Sequence, residues 1–351
     1  MKRFTVLFSV LLVVVWSGTV LANSAPAVSN VIANQREDDS KLVDIYYDLA
    51  DADGDSCTIW VLVSADGGAT WGIPAITFSG DVGQSIAPGT KKHIIWDAGA
   101  DIPGKVGDFK ARVYADDGKG PAPMVLVPAG GFPYQNADLG HWVYVGSFMI
   151  DKYEVTNQFY CQFLNNADPN GQHWAPGMEI LRAGSLGSYS YAVVEGRENY
   201  PMHYVTAYYN DSDVKAFAAW RSTLDDVTYR LPTDQEWEKA AAWDPLEEHY
   251  YIYGFHRDTI DPNWCNYNSF YGGLTPVGYF DGTGGRNNAK SYYGCYDMCG
   301  NISELTGFGA GVRGGAWTSG ESWCQNTKMY DVPLPLGARR DYGFRLVLGG
   351  E

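Results

Sequence analysis

Arg230-Leu231-Pro232-Thr233-Asp234-Gln235-Glu236-Trp237-Glu238-Lys239-Ala240-Ala241 is the stretch that decides the fold of this chain. Pro232 ends an extended segment, and Thr233 with Glu236 three residues later makes a capping box. Each of these side chains accepts a hydrogen bond from a backbone N–H that the first helical turn leaves free. Trp237, Ala240 and Ala241 then recur at helical spacing and predict a buried face. The cap accounts for the carboxylates here, so Glu236 and Glu238 are not read as a general acid and base. Three more phrases follow in order: Tyr296 to Glu304 (YDMCGNISE), Val312 to Trp317 (VRGGAW) and Tyr342 to Leu346 (YGFRL).

Two other helices can be placed. Thr156 is a cap for one running to about Asn165, with Phe159, Phe163 and Leu164 inward. Asp211 or Ser212 is a cap for the second, with Val214, Phe217 and Ala218 on one face. Beyond about Ala242 the chain is mostly Gly, Asn and Tyr. Irregular backbone of that length needs local pins, and bound metal is a common one.

Residues 26 to 118 read differently. Val43, Ile45, Tyr47 and Leu49 alternate with Asp44, Tyr46 and Asp48, the period-two pattern of a half-buried strand. Thr58 to Val63 is a β-branched and aromatic run, and Phe109, Ala111, Val113 and Ala115 alternate again. These runs predict an N-terminal all-β sandwich of the immunoglobulin or fibronectin III sort. Asp51 to Asp55 looks like the start of a calcium loop, but Gly54 falls at its fourth position and Leu62 at its twelfth, so a hairpin turn is expected. Ser64 to Trp71 predicts a second hairpin. Residues 119–123, rich in Gly and Pro, read as a linker, and the second domain as residues 124–351.

Lys2 and Arg3 followed by the apolar run Phe4 to Trp16 and by Val20-Leu21-Ala22 predict a signal peptide over residues 1–22. Export to a secreted or periplasmic location is therefore expected, with no transmembrane helix after its removal. Of 351 residues, 41 are acidic and 25 basic, giving a formal net charge of −16 that disfavours nucleic acid and favours hard cations. Six cysteines (Cys57, Cys161, Cys265, Cys295, Cys299 and Cys324) permit disulfides whose pairing sequence cannot choose. No G-x-S-x-G, H-E-x-x-H or Walker-type phosphate loop is present, and the six histidines lack ligand spacing.

The four phrases together resemble the formylglycine-generating enzyme family, also called the sulfatase-modifying factor domain. Met124 to Phe132 and Tyr153 to Asn157 are also typical of it. The resemblance covers about residues 124–348 and implies an α+β fold related to C-type lectins, with much irregular structure. It implies calcium at the Asp297 side chain, the Gly300 and Ile302 carbonyls and the Glu304 carboxylate; the alternative is that Asp297 caps a turn and Glu304 pairs with an arginine. A second family calcium site would begin at Asn266, but its downstream Asp lacks a counterpart.

The family's enzymes hold copper(I) on two thiolates five residues apart, after a G-G-S segment whose Ser also belongs to the active site. Here the Ser position is Ala316, the first Cys position is Ser319 and the second is Cys324; a Trp of the enzymes is Ser303. A hydroxyl is a hard donor that stays protonated near neutral pH, so copper is not expected on this pair. A related branch makes ergothioneine-type sulfoxides with iron held by His of an added helical domain, where this chain adds a β region. The leading expectation is an exported, calcium-stabilised ligand-binding or interaction module for a protein, peptide or carbohydrate. The aromatic loops Tyr250 to Phe255 and Asn266 to Tyr271 either line its binding face or pin the interior. Two alternatives stand beside it: an oxidoreductase acting on a sulfatase cysteine or a related oxidase using Cys324 with another thiol such as Cys299 or Cys295, and a protein whose β-sandwich is the working part.

Overall fold

The computed structural model describes residues 24–349 apart from residues 70, 121, 137–141, 208–211, 226, 308–310 and 332–337. The expected signal peptide and the Asp211 cap lie outside the described residues.

Seven strands come first: β1 (Ala27–Gln35), β2 (Leu42–Ala50), β3 (Cys57–Ser64), β4 (Phe78–Gly80), β5 (Gly83–Ile86), β6 (Gly89–Asp97) and β7 (Lys110–Asp116). They form two antiparallel sheets, in the orders β1-β2-β6-β4 and β5-β3-β7. Ile45, Tyr47 and Leu49 of β2 are buried while Tyr46 between them is exposed, as the alternation predicts. These three share one core with Cys57, Ile59, Val61 and Val63 of β3, Ile94 and Trp96 of β6 and Val113 of β7. The Asp51 turn closes on itself, with the Asp53 and Asp55 amides donating to Asp51 Oδ1 at 3.0 Å. In the Ser64 hairpin the Ser64 hydroxyl accepts from the Gly68 amide at 2.8 Å and donates to Asp66 Oδ1 at 2.7 Å.

β3 is buried on both faces, which explains its unbroken apolar run. Trp60 and Leu62 point away from the first core and join Met149, Phe344 and Leu348 in the core of the C-terminal half. There, Tyr229–Arg230, Val347–Gly349, Phe148–Asp151 and Met124–Val127 make an antiparallel sheet in that order.

All three helices are present. Thr156 Oγ1 accepts from the Phe159 amide and starts the helix Asn157–Ala167. The second runs Asp213–Asp225. They meet through Phe159, Phe163 and Phe217, with ring centroids 5.2 to 5.7 Å apart. The helix Asp234–Ala242 carries the full capping box and buries Trp237 and Ala240 completely.

A second small sheet orders Met329–Asp331, Gly311–Arg313, Ser303–Leu305 and Tyr342–Gly343. Its last pair is parallel, with Glu304 opposite Gly343, and this register brings Glu304 beside Arg345. Between Tyr250 and Ser303 there is neither helix nor strand, only turns and isolated bridges.

Candidate functional site

Segments far apart in sequence converge beneath that irregular stretch. Asp297 and Asn301 both take left-handed backbone (φ 56° and 57°), which Asp and Asn tolerate better than other side chains. The loop therefore curls, and the Asn301 amide donates to the Asn266 carbonyl at 2.8 Å. Gly300 between them has φ 73°, and a Cβ there would come 2.6 Å from Cys265 Sγ, so only glycine fits.

Asp297 Oδ2 accepts from the Gly278 amide at 2.5 Å. Facing it is Glu154, a residue the sequence reading did not single out. Asn301 Nδ2 donates to Glu154 Oε1 at 3.0 Å, whereas Glu154 Oε2 receives no donor. Asn266 sends its amide to the Gly273 carbonyl at 2.9 Å, and its Oδ1 is likewise buried without a donor.

Burial pushes the Asp297 carboxyl up to about 6 and Glu154 well above its usual range; the Asp297 charge raises Glu154 further, whereas the hydrogen bond from Glu154 lowers Asp297. The two lie within hydrogen-bonding reach, so one holds a proton unless a cation separates them. Glu304 adds a third buried carboxylate. It spends its oxygens on Arg345 (2.6 Å to each) and on the Trp237 indole N–H (2.8 Å). Three carboxylates facing one guanidinium leave a formal excess of two negative charges in the interior.

That donor set fits a calcium ion: hard oxygens, two of them orphaned, and a charge that a divalent cation neutralises. Its centre is Glu154, Asp297 and Asn266. Glu304 pairs with Arg345, the arginine pairing that was the alternative.

The positions that hold copper in the enzymes are separated by function. Ser319 Oγ accepts from the Ala316 amide at 2.9 Å while the Ser319 amide donates back to the Ala316 carbonyl, making a tight turn. Cys324 is fully buried and faces inward. Its neighbours are Cys265 and Cys299, and the three form a ring. The Cys265 thiol donates to the Cys299 carbonyl at 3.1 Å, and the Cys299 thiol donates to the Cys324 carbonyl at 2.8 Å. The Cys324 and Cys265 thiols are themselves in hydrogen-bonding contact. Burial raises the Cys265 and Cys299 thiols well above their usual range, so these two stay protonated. All six cysteines are buried free thiols.

Tyr250, Tyr253 and Phe255 are buried and act as interior pins; in the second aromatic loop only Phe270 stands well exposed, at 64%. The structure also gathers Asp244, Glu247 and His256, whose donor atoms lie within 4.8 Å of one another. Asp244 is already satisfied there by the Leu246 and Glu247 amides and by His256 at 2.8 Å. Other histidines pair with carboxylates too: His93 with Asp44, His173 with Asp213 and His249 with Asp258.

Residues 110–349 match the family described as the sulfatase-modifying factor enzyme 1-like domain. The chain belongs to this family. Among curated proteins it is similar to the hercynine oxygenase of Mycolicibacterium smegmatis (strain ATCC 700084 / mc(2)155), 30% identical over 153 residues, which are 35% of this chain and 32% of that protein. The hercynine oxygenase of Mycolicibacterium thermoresistibile is 30% identical over 143 residues, 39% of this chain and 28% of that protein. The chain thus spans about a third of the length of these relatives. Among solved structures, CarF superposes with a TM-score of 0.51 at 20% identity, covering 65% of this chain and 98% of CarF, which shows the fold. No helix among the described residues is long and apolar enough to cross a membrane.

Proposed function

We propose that this family member is an exported protein whose C-terminal domain is a calcium-braced ligand-binding or interaction module and has given up thiol-dependent oxidation. Residues 26–118 would form an immunoglobulin- or fibronectin-type sandwich joined to residues 124–351 by the linker 119–123. One observation carries the reading: Cys324 is buried beside the protonated thiols of Cys265 and Cys299, while Ser319, at the other copper position, caps a turn. Copper(I) needs thiolates that a substrate can approach, and this arrangement encloses the Cys324 sulfur. Calcium is supported by the orphaned oxygens of Glu154 and Asn266 and by the raised Asp297 carboxyl.

The second reading is an oxidase using Cys324, favoured by the oxygenase relatives and by the contact between the Cys324 and Cys265 thiols. Two measurements on reduced protein separate them: copper(I) affinity by competition with a chromophoric chelator, and oxidation of a Cys-containing sulfatase peptide. The module reading expects no stoichiometric copper and no turnover. Copper bound one-to-one and lost in both Cys324→Ala and Cys265→Ala, together with peptide oxidation, would establish the oxidase instead.

A further inference from the structure

The two N-terminal sheets leave β1 and β7 as free edges, and a cavity of about 720 Å³ opens between them, with Ala33 of β1 and Ala111 of β7 on its walls. Its floor is apolar. Trp96 is 3% exposed and meets Phe109 edge-on, with ring centroids 6.5 Å apart. The Trp96 indole N–H already donates to Asp101 at 2.8 Å, so Trp96 offers the cavity only carbon. That Asp101 carboxylate is further occupied by the Ile76 and Thr77 amides.

The rim carries Lys41, Lys105 and Lys110, and among the described residues no Asp or Glu lines the cavity. In a chain of net charge −16 this is a local reversal of sign. Lys41 has a weak partner, Asp39 at 3.5 Å with both side chains largely in solvent; no ion pair is formed by Lys105 or Lys110 among the described residues. Val106, 98% exposed, stands at the mouth with no protein atoms packed on it.

We propose that this cavity binds a small organic anion with an apolar body, of the medium-chain or aryl carboxylate type. The size falls in the range of small-molecule sites, roughly 300 to 1,000 Å³. The aromatic floor takes the apolar body, and the lysine rim takes the anionic head at a place the rest of the protein surface repels it from. A nucleic acid does not fit, because its extended charge would meet the acidic remainder of the surface.

Octanoate is the probe, titrated calorimetrically into the full exported chain, with octanamide as its uncharged counterpart. The expected result is saturable one-to-one octanoate binding, weaker at high salt, with octanamide bound about tenfold less tightly or not at all. Lys105→Glu with Lys110→Glu should weaken octanoate by at least about tenfold with little change in Tm, since both side chains are exposed. Val106→Asp, at a site too exposed to affect folding, should weaken it as well. Absence of saturable binding at millimolar octanoate, or equal binding by the folded charge-reversed variant and by the parent, would overturn the proposal.

Discussion

Arg345 grips both carboxylate oxygens of Glu304 at 2.6 Å in a part of the core where neither side chain reaches solvent. The same guanidinium donates to the carbonyls of Asp151 (3.0 Å) and Tyr296 (2.9 Å), so it ties the last family phrase to Tyr296–Glu304 and to the strand Phe148–Asp151. Removing one member of a buried pair strands the other charge, at a cost of about 3–5 kcal/mol. Arg345→Met should therefore lose about that much stability in urea denaturation. The double variant Arg345→Met/Glu304→Leu should recover part of it, and strict additivity of the two losses would show that the pair is not coupled.

With calcium at the proposed site, the Glu154–Asp297 pair should make stability depend on calcium and pH. The Asp297 carboxyl is raised from 3.8 to about 6 by burial, so the calcium-free folded state holds a proton that the unfolded chain releases. That stabilisation is complete below about pH 4 and is lost as the pH rises through about 6. Calcium displaces the proton, so its affinity should strengthen over the same interval. Tm measured in chelator and in millimolar calcium should differ little at pH 5 and clearly at pH 7.5. Asp297→Asn should remove most of the calcium response and raise the Tm of the calcium-free protein at pH 7.5. An unchanged response in that variant would place the ion elsewhere.

The thiol ring predicts slow chemistry. The Cys265, Cys299 and Cys324 side chains are nearly inaccessible, so a thiol-specific disulfide reagent should react at the rate of local or global opening. Denaturant should release six reactive groups at once, matching six free thiols. Cys299 also accepts from the Gly254 amide at 3.0 Å. Cys299→Ala deletes the sulfur's bonds to the Gly254 amide and the Cys324 carbonyl, with the longer contact to Asn326, and should cost about 1–3 kcal/mol, read by denaturant midpoint at constant m-value. Fast reaction in the native state would indicate a site open to solvent.

What could be read from sequence is what local chemistry decides. Thr233 and Glu236 cap each other within four residues, and the alternation of β2 is set by neighbours two apart; both were legible. Glu154 was not, because its partner Asn301 is 147 positions away and nothing in Tyr153 to Asn157 signals a cation. The thiol meeting Cys324 proved to be Cys265, where the sequence reading had offered Cys299 or Cys295. Glu304 showed its charge in sequence, but its choice of Arg345 rests on a parallel strand register that no local pattern encodes. Aromatic loops were ambiguous for the same reason: Tyr253 and Phe270 are alike in composition, and only packing buries the first and exposes the second.

Leu62 makes the last prediction. It lies on the outward face of β3, yet it is 1% exposed because Met149 and Leu348 close over it. At Gly349 the backbone comes so near that a Cβ would sit 2.9 Å from Leu62 Cδ1. The two halves of the chain are thus packed through a shared apolar cluster, and separating them would expose it. Leu62→Ala should cost about 2–5 kcal/mol in the intact protein. Unfolding followed by Trp fluorescence and by circular dichroism should give one coincident transition, and a fragment beginning at Met124 should bind a hydrophobic dye and aggregate. Two separated transitions, with Leu62→Ala shifting only the one assigned to the N-terminal strands, would mean that the cluster does not couple the halves.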